Sequence, residues 1–177
     1  YLQAVDAASD RVLTWSIGKT EEGRDMIVAA IADEATIRDL KRYKGMLHEL
    51  TDPRRTSDER ARQLIQTAKP VYWLTSGMHS GELGGPEMLQ ELTYRLAVQE
   101  TPFIQNIRNN VITMITPVTE VDGREKMVDT YYFNKKRPQG EARLPLMYWG
   151  KYVAHDNNRD GMGQFLALTK NVTKFFN

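Results

Sequence analysis

The chain has 177 residues, 41% of them apolar and 27% charged, enough for one globular domain with a core. Its 24 basic and 23 acidic residues leave a net charge of +1, which gives no electrostatic reason to expect nucleic acid or an anionic membrane as partner. It has no cysteine, which excludes disulfides and thiolate chemistry, so any metal must be held by histidine and carboxylate.

Residues 2–8 read as a short helix. Residues 12–17 and 26–32 are rich in Val and Ile, and the turn-rich link Gly18-Lys19-Thr20-Glu21-Glu22-Gly23 makes them an antiparallel hairpin. Ile37, Leu40, Tyr43, Leu47 and Leu50 repeat at helical spacing, with Gly45 as a weak point and Asp52-Pro53 as the break. The basic run Lys41-Arg42-Tyr43-Lys44 inside that helix is a solvated face. Thr56 and Glu59 form a capping-box pattern, and Ala61, Leu64, Ile65 and Ala68 follow on one face until Pro70.

Val71-Tyr72-Trp73-Leu74-Thr75 is a continuous apolar run, the pattern of a strand buried on both faces. A glycine-rich loop follows over 76–85. Pro86 then suits the first turn of a helix striped by Met88, Leu89, Leu92 and Leu96. Residues 111–115 make a second buried strand closed by Pro117. Strand, helix and strand form a βαβ unit, hence a parallel pair, and with the hairpin in front the sheet is mixed. Residues 131–159 are less regular and read as a long functional loop region.

The end Lys174-Phe175-Phe176-Asn177 falls in an amphipathic helix without a Gly or Pro stop, which implies a native protein that continues past Asn177. The start at Tyr1 instead of Met implies residues upstream. No apolar run reaches the length of a membrane span, and no signal peptide is visible.

Chemistry is concentrated in two places. His79 and Glu82 lie three residues apart in the loop after the 71–75 strand, the end of the sheet where open α/β proteins bind ligands. One helical turn there would put both side chains on one side, roughly 5–6 Å apart at Cβ, within reach of a single cation. A histidine-x-x-glutamate pattern is weak alone; the buried strand before it, the glycines around it and the helix after it strengthen it. The second place is His155-Asp156-Asn157-Asn158-Arg159-Asp160-Gly161. A polar run ending in Gly suits a surface turn, yet a planar arginine fork beside an amide also suits a bidentate grip on a carboxylate.

These strings together carry a resemblance. Gly77-Met78-His79-Ser80-Gly81-Glu82, followed by Pro86-Glu87-Met88-Leu89, resembles the first zinc motif of the M14 metallocarboxypeptidase family. Asn158-Arg159 resembles the family's Asn-Arg pair, and Val121-Asp122-Gly123 resembles its Asn-Pro-Asp-Gly turn, with Glu120-Val121 in place of Asn-Pro. The run from Ser16-Ile17-Gly18 to Gly23-Arg24 is similar to its opening hairpin, and residues 153–160 look like a bacterial, secreted subgroup. The match covers nearly the whole chain, with four motifs in order.

The resemblance implies an α/β fold over residues 1–177, the N-terminal portion of a single catalytic domain with a three-layer α/β/α sandwich and a mixed sheet. It implies one Zn2+ per site, held by two histidines and one glutamate, with His79 and Glu82 as the first two ligands. Asn158 and Arg159 would bind the terminal carboxylate of a peptide or protein substrate. Arg137 would polarise the scissile carbonyl, with Lys135 and Lys136 as neighbours that offer only point charges. The reaction would be hydrolysis of the C-terminal peptide bond by metal-activated water in a secreted or periplasmic setting. His48 precedes the motif on a surface helix, and His155 reads as structural or as a support for the site. The third zinc ligand and the general-base glutamate would then lie beyond Asn177, leaving this portion inactive by itself. The competing expectations are a non-catalytic carboxypeptidase-like peptide-binding domain and a related zinc amidase or deacylase.

Three lesser patterns are set aside. Gly18-Lys19-Thr20 lacks the earlier glycine of a phosphate loop, since position 13 is Leu13. Asn171-Val172-Thr173 fits an N-glycosylation acceptor but falls on a helix. Trp73, Tyr148 and Trp149 suit a core or pocket wall better than a nucleic-acid platform.

Overall fold

A computed structural model describes residues 1–145 and 155–177. Tyr148, Trp149 and the start of the 153–160 segment lie outside the described residues. The elements run α1 (Leu2–Ala8), β1 (Val12–Lys19), β2 (Asp25–Ile31), α2 (Glu34–Arg38), α3 (Leu40–Leu50), α4 (Asp58–Thr67), β3 (Val71–Thr75), α5 (Gly84–Val98), α6 (Pro102–Asn110), β4 (Ile112–Thr116), α7 (Val121–Lys135), a 3-10 turn (Asn157–Arg159) and α8 (Ala167–Phe176).

The strands form a sheet in the order β1-β2-β4-β3. β1 and β2 are the expected hairpin, closed by Thr20 N–H donating to Arg24 O at 2.8 Å. β2 and β4 run antiparallel, with Ala29 opposite Ile115 and Ile31 opposite Thr113. β3 and β4 run the same way: Ile112 N–H donates to Pro70 O at 3.0 Å, and Ser76 N–H donates to Thr116 O at 3.1 Å. The sheet is therefore mixed, as expected.

The chain divides into two compact units. The first holds Tyr1–Thr14, Ala29–Trp73 and Leu92–Ile115; the second holds Trp15–Val28, Leu74–Glu91 and Thr116–Asn177. In the first unit the core gathers Ala29, Ala30 and Ile31 of β2, Leu64 of α4, Leu96 of α5 and Ile112 and Ile115 of β4, all buried. In the second, Met26, Leu166 and Leu168 form a cluster with Ile17, Val121 and Val172 packed against it. That cluster explains α8: its apolar stripe has somewhere to go. Asn171 of the glycosylation-like triplet is used internally, its amide donating to Lys19 O at 2.8 Å.

Several local expectations change. β3 is not buried on both faces: it ends the described sheet, Val71 is 42% and Tyr72 62% exposed, and the buried strand is β4. An apolar run states what could be buried; cover must come from neighbours, and β4 has a strand on each side. The 37–50 helix breaks at Asp39, not at Gly45, because Asp33 starts a separate turn, accepting Thr36 N–H at 3.0 Å and its hydroxyl at 2.6 Å. Ser57, not Thr56, caps α4, accepting Arg60 N–H, while the Thr56 hydroxyl turns back to donate to Glu49 O at 2.6 Å. On α4 only Leu64 is buried, and Ile65, its next neighbour around the helix, is 67% exposed. Within the βαβ crossover stands a second helix, α6, opened by Thr101 and Pro102 in a cap-then-proline pattern. The irregular region starts only after Lys135, since α7 runs on from the Val121-Asp122-Gly123 turn. Among the described residues no helix is long and apolar enough to cross a membrane.

Candidate functional site

Every residue of the site belongs to the second unit. Past the end of β3, the backbone stays tied to the segment after β4. Thr119 N–H and its hydroxyl both donate to Ser76 O, at 2.9 and 3.0 Å, and Glu120 N–H donates to Gly77 O at 2.9 Å. Gly77 sits at φ +56°, and a Cβ there would come within 3.3 Å of Pro117 O, Val118 Cα and Pro86 Cγ. Conformation and space both demand glycine. The chain then closes a turn in which Glu82 N–H donates to His79 O at 3.1 Å.

That turn brings His79 and Glu82 together. His79 Nδ1 lies 2.7 Å from Glu82 Oε1, and His79 N–H donates to Glu82 Oε2 at 3.2 Å. The other ring nitrogen, Nε2, lies 3.2 Å from Asp156 Oδ1. The imidazole is thus held between two carboxylates. The bond to Glu82 raises the His79 pKa above its ordinary value, partial burial opposes this, and Asp156 adds to the rise. Glu82 falls below the usual carboxylate range, chiefly through the same bond. Burial pushes Asp156 upward, but Asn158 N–H and His79 outweigh it and the net shift is downward.

Asp156 also organises the second motif. Its Oδ1 accepts Asn158 N–H at 2.8 Å and its carbonyl accepts Arg159 N–H at 2.9 Å, which starts the 3-10 turn. Asn157, buried, donates its side-chain amide to Met78 O, one residue before His79. Asn158 and Arg159 are exposed. Asp160 closes the turn: its carboxylate, 0% exposed, accepts the N–H groups of Phe165 and Leu166 at 2.9 Å each and faces His155 Nε2 at 2.9 Å. Burial raises Asp160, yet those N–H groups prevail and hold it at about 2. His155 is therefore committed to Asp160.

Of the expected site residues, His79 with Glu82, and Asn158 with Arg159, are joined into one constellation through Asp156. Arg137 stands one residue past the C-cap of α7; its guanidinium pairs with Glu141 at 3.0 Å and lies 5.6 Å from the centre of the Phe133 ring. Sequence reasoning did not single out Asp156 or Asn157. Their signal was there, an acid and an amide directly preceding the Asn-Arg pair.

His79 and Glu82 fit two positions of a histidine–histidine–glutamate zinc set. Imidazole nitrogen and carboxylate oxygen are donors zinc takes, and a cation between Nδ1 and Oε1 would replace the proton they share. Asp156 approaches the opposite ring nitrogen, so with a cation at Nδ1 it would orient the ring instead of joining the ligands. No group of three or more His, Cys, Asp or Glu among the described residues is placed to hold a metal ion.

The family model described as zinc carboxypeptidase matches residues 1–169. Among solved structures, the chain is similar to the carboxypeptidase A of Helicoverpa armigera, at 18% identity and TM-score 0.60, over 99% of this chain and 40% of that one. It is similar to thrombin activatable fibrinolysis inhibitor at 15% identity and TM-score 0.58, over 98% of this chain and 41% of that one. A metallo-carboxypeptidase from Burkholderia cenocepacia matches at 20% identity and TM-score 0.47, over 69% of this chain and 25% of that one. The chain spans less than half the length of each of these structures. No curated protein matches it.

Proposed function

This chain belongs to the zinc carboxypeptidase family, and from that premise we propose that it forms part of a zinc-dependent metallocarboxypeptidase acting on peptides with a free C-terminal carboxylate. The observation that carries the reading is the His79–Glu82 pair, with Asp156 on the far side of the imidazole. In this reading His79 and Glu82 hold one zinc ion. Bound zinc supplies a Lewis acid that brings a water toward a neutral pKa and polarises a carbonyl.

The chain's own residues divide the remaining work. Asp156 fixes the ring of His79 by taking the Nε2 hydrogen, which leaves Nδ1 to face the metal. Asn158 and Arg159, exposed at the end of the turn that Asp156 starts, grip the terminal carboxylate by amide and fork. Arg137 holds the negative charge that develops on the scissile carbonyl oxygen. The present pairing of Arg137 with Glu141 would be exchanged for substrate, and the half-exposed Glu141 makes that exchange cheap. The third zinc ligand and the general base come, in this reading, from the length of the relatives that this chain does not span. A secreted or periplasmic setting is part of the proposal and is supported by resemblance alone.

Hydrolysis of a blocked dipeptide by the full-length protein tests this. Activity should vanish with a chelator and return with zinc. Full activity in the chelator, or no zinc taken up by the purified protein, would sink the reading.

A further inference from the structure

The turn that carries His79 rests on side chains that the proposed reaction does not use. Ser80 is 8% and Glu120 2% exposed. Ser80 Oγ and Glu120 Oε2 find no hydrogen-bond partner among the described residues. Both lie against Gly123 in the first turn of α7: a Cβ on that glycine would stand 1.9 Å from Ser80 Oγ and 2.8 Å from Glu120 Cγ. Only glycine lets the hydroxyl and the acid occupy that space together. Glu120 already ties two parts of the site, its N–H to Gly77 O and its Oε1 to Gly123 N–H at 3.1 Å.

The charges facing Glu120 are acidic. Asp122 is on its own helix, and Glu21 and Glu22 come from the turn between β1 and β2. The cations nearby are committed elsewhere: Arg24 pairs with Glu22 at 2.7 Å and Asp122 at 2.8 Å, and Lys126 reaches Glu22 at 3.3 Å. Among the described residues, a carboxylate at position 120 would be buried with like charges and without a counter-ion.

We propose that Glu120 is a positioning residue for the inferred reaction: as an uncharged acid it donates a hydrogen bond to one enclosed water that reaches Ser80 Oγ, and so props the His79 turn on α7. The proposal rests on the zinc reading only in that the propped turn carries a metal ligand. Burial pushes the Glu120 pKa up to about 7; Gly123 N–H pulls against it and the neighbouring acids add to the rise, which agrees with an acid that keeps its proton below neutral pH.

Glutamine at position 120 keeps the shape of the protonated acid and donates where it donates. In the full-length protein, Glu120→Ala and Ser80→Ala should each weaken zinc binding about 10- to 100-fold, the usual cost of an outer partner. Glu120→Gln should restore most of that loss and keep its affinity above about pH 7, where the wild type declines. If Gln damages zinc binding as much as Ala, or shares the wild-type pH profile, the proposal is overturned.

Melting of the metal-free full-length protein separates this from the zinc reading. The folded acid holds its proton to about 7 whereas an unfolded glutamate releases it near the model value of 4.5, so wild-type stability falls as pH rises through that window. Glu120→Gln should lack the fall, and the midpoint difference should widen by a few degrees across it. A constant difference refutes the proposal. A wild type that binds no zinc sinks the proposed function and leaves this melting comparison to decide the role of Glu120.

Discussion

The two units treat buried polar groups differently. In the first they are paired off. Arg108, 4% exposed, donates to Leu96 O at 2.9 Å, to Gln99 O at 3.0 Å and to Glu100 at 2.9 Å. Arg11 bonds Ala97 O, Glu34 and Glu100. Lys69 reaches Asp33 at 2.5 Å and Thr36 at 2.6 Å. In the second unit, Ser80, Glu120, Arg137 and Asn157 each keep a buried polar atom without a partner among the described residues. Among the described residues, the non-glycine residue at positive φ, Gln164 at +49°, is there too. A scaffold gains by satisfying every buried group, whereas a site keeps hydrogen-bonding capacity for what it binds or for supports that must be set exactly. The first unit reads as frame and the second as site.

Four experiments press on that division. His79→Ala in the full-length protein should reduce zinc affinity and kcat/KM by more than about 100-fold, beyond the cost of losing an outer partner, with little loss of stability. An active, zinc-loaded His79→Ala protein would remove the second unit's claim to be the site. Arg108→Ala, in the frame, should show the opposite pattern. Chemical denaturation should report a loss of about 3 kcal/mol, since two backbone carbonyls and Glu100 lose a buried partner. Activity per folded molecule should stay within about twofold, since Arg108 shares no hydrogen-bond partner with the site residues.

Asp156→Asn should again act on function. Zinc affinity should drop about 10- to 100-fold, because the ring of His79 loses its orienting carboxylate. Stability unchanged and affinity unchanged together would show that Asp156 merely caps the 3-10 turn. The smallest effect belongs to Asp33, in the frame. Burial raises its pKa, but Lys69 and Thr36 outweigh that and lower it to about 2 from 3.8. A depressed folded pKa stabilises above the unfolded value and is lost as pH falls through the folded one. Wild type should therefore exceed Asp33→Asn by roughly 2 kcal/mol at pH 5, with the gap closing toward pH 2, read by urea midpoints. A gap independent of pH would mean that Asp33 acts as a neutral cap.

Much of the site was readable because it is local. His79 and Glu82 share one turn, so three residues of spacing suffice to predict their meeting, and Asn158-Arg159 is a single dipeptide. Asp156 was harder. Its bond to His79 spans 77 positions, and nothing in the polar run 155–161 says which acid turns inward. Glu120 was read only as a departure from the Asn-Pro of a familiar turn; its burial among Asp122, Glu21 and Glu22 depends on the hairpin folding back beside α7. Among the elements, α6 had a readable start in Thr101-Pro102, while the extent of α7 was hidden by Gly123 in its first turn.

By itself, the sequence determined the mixed α/β character, the family resemblance and the meeting of His79 with Glu82. These follow from residue types at short spacing and from apolar periodicity, which act over a few bonds. Tertiary structure alone decided which strand is covered, which acid flanks His79 and which buried groups stay unpaired. Each of those depends on which surfaces meet after folding. Thus β3 is the more continuously apolar of the two runs, yet β4 is the buried one, because burial is a property of neighbours and not of the strand.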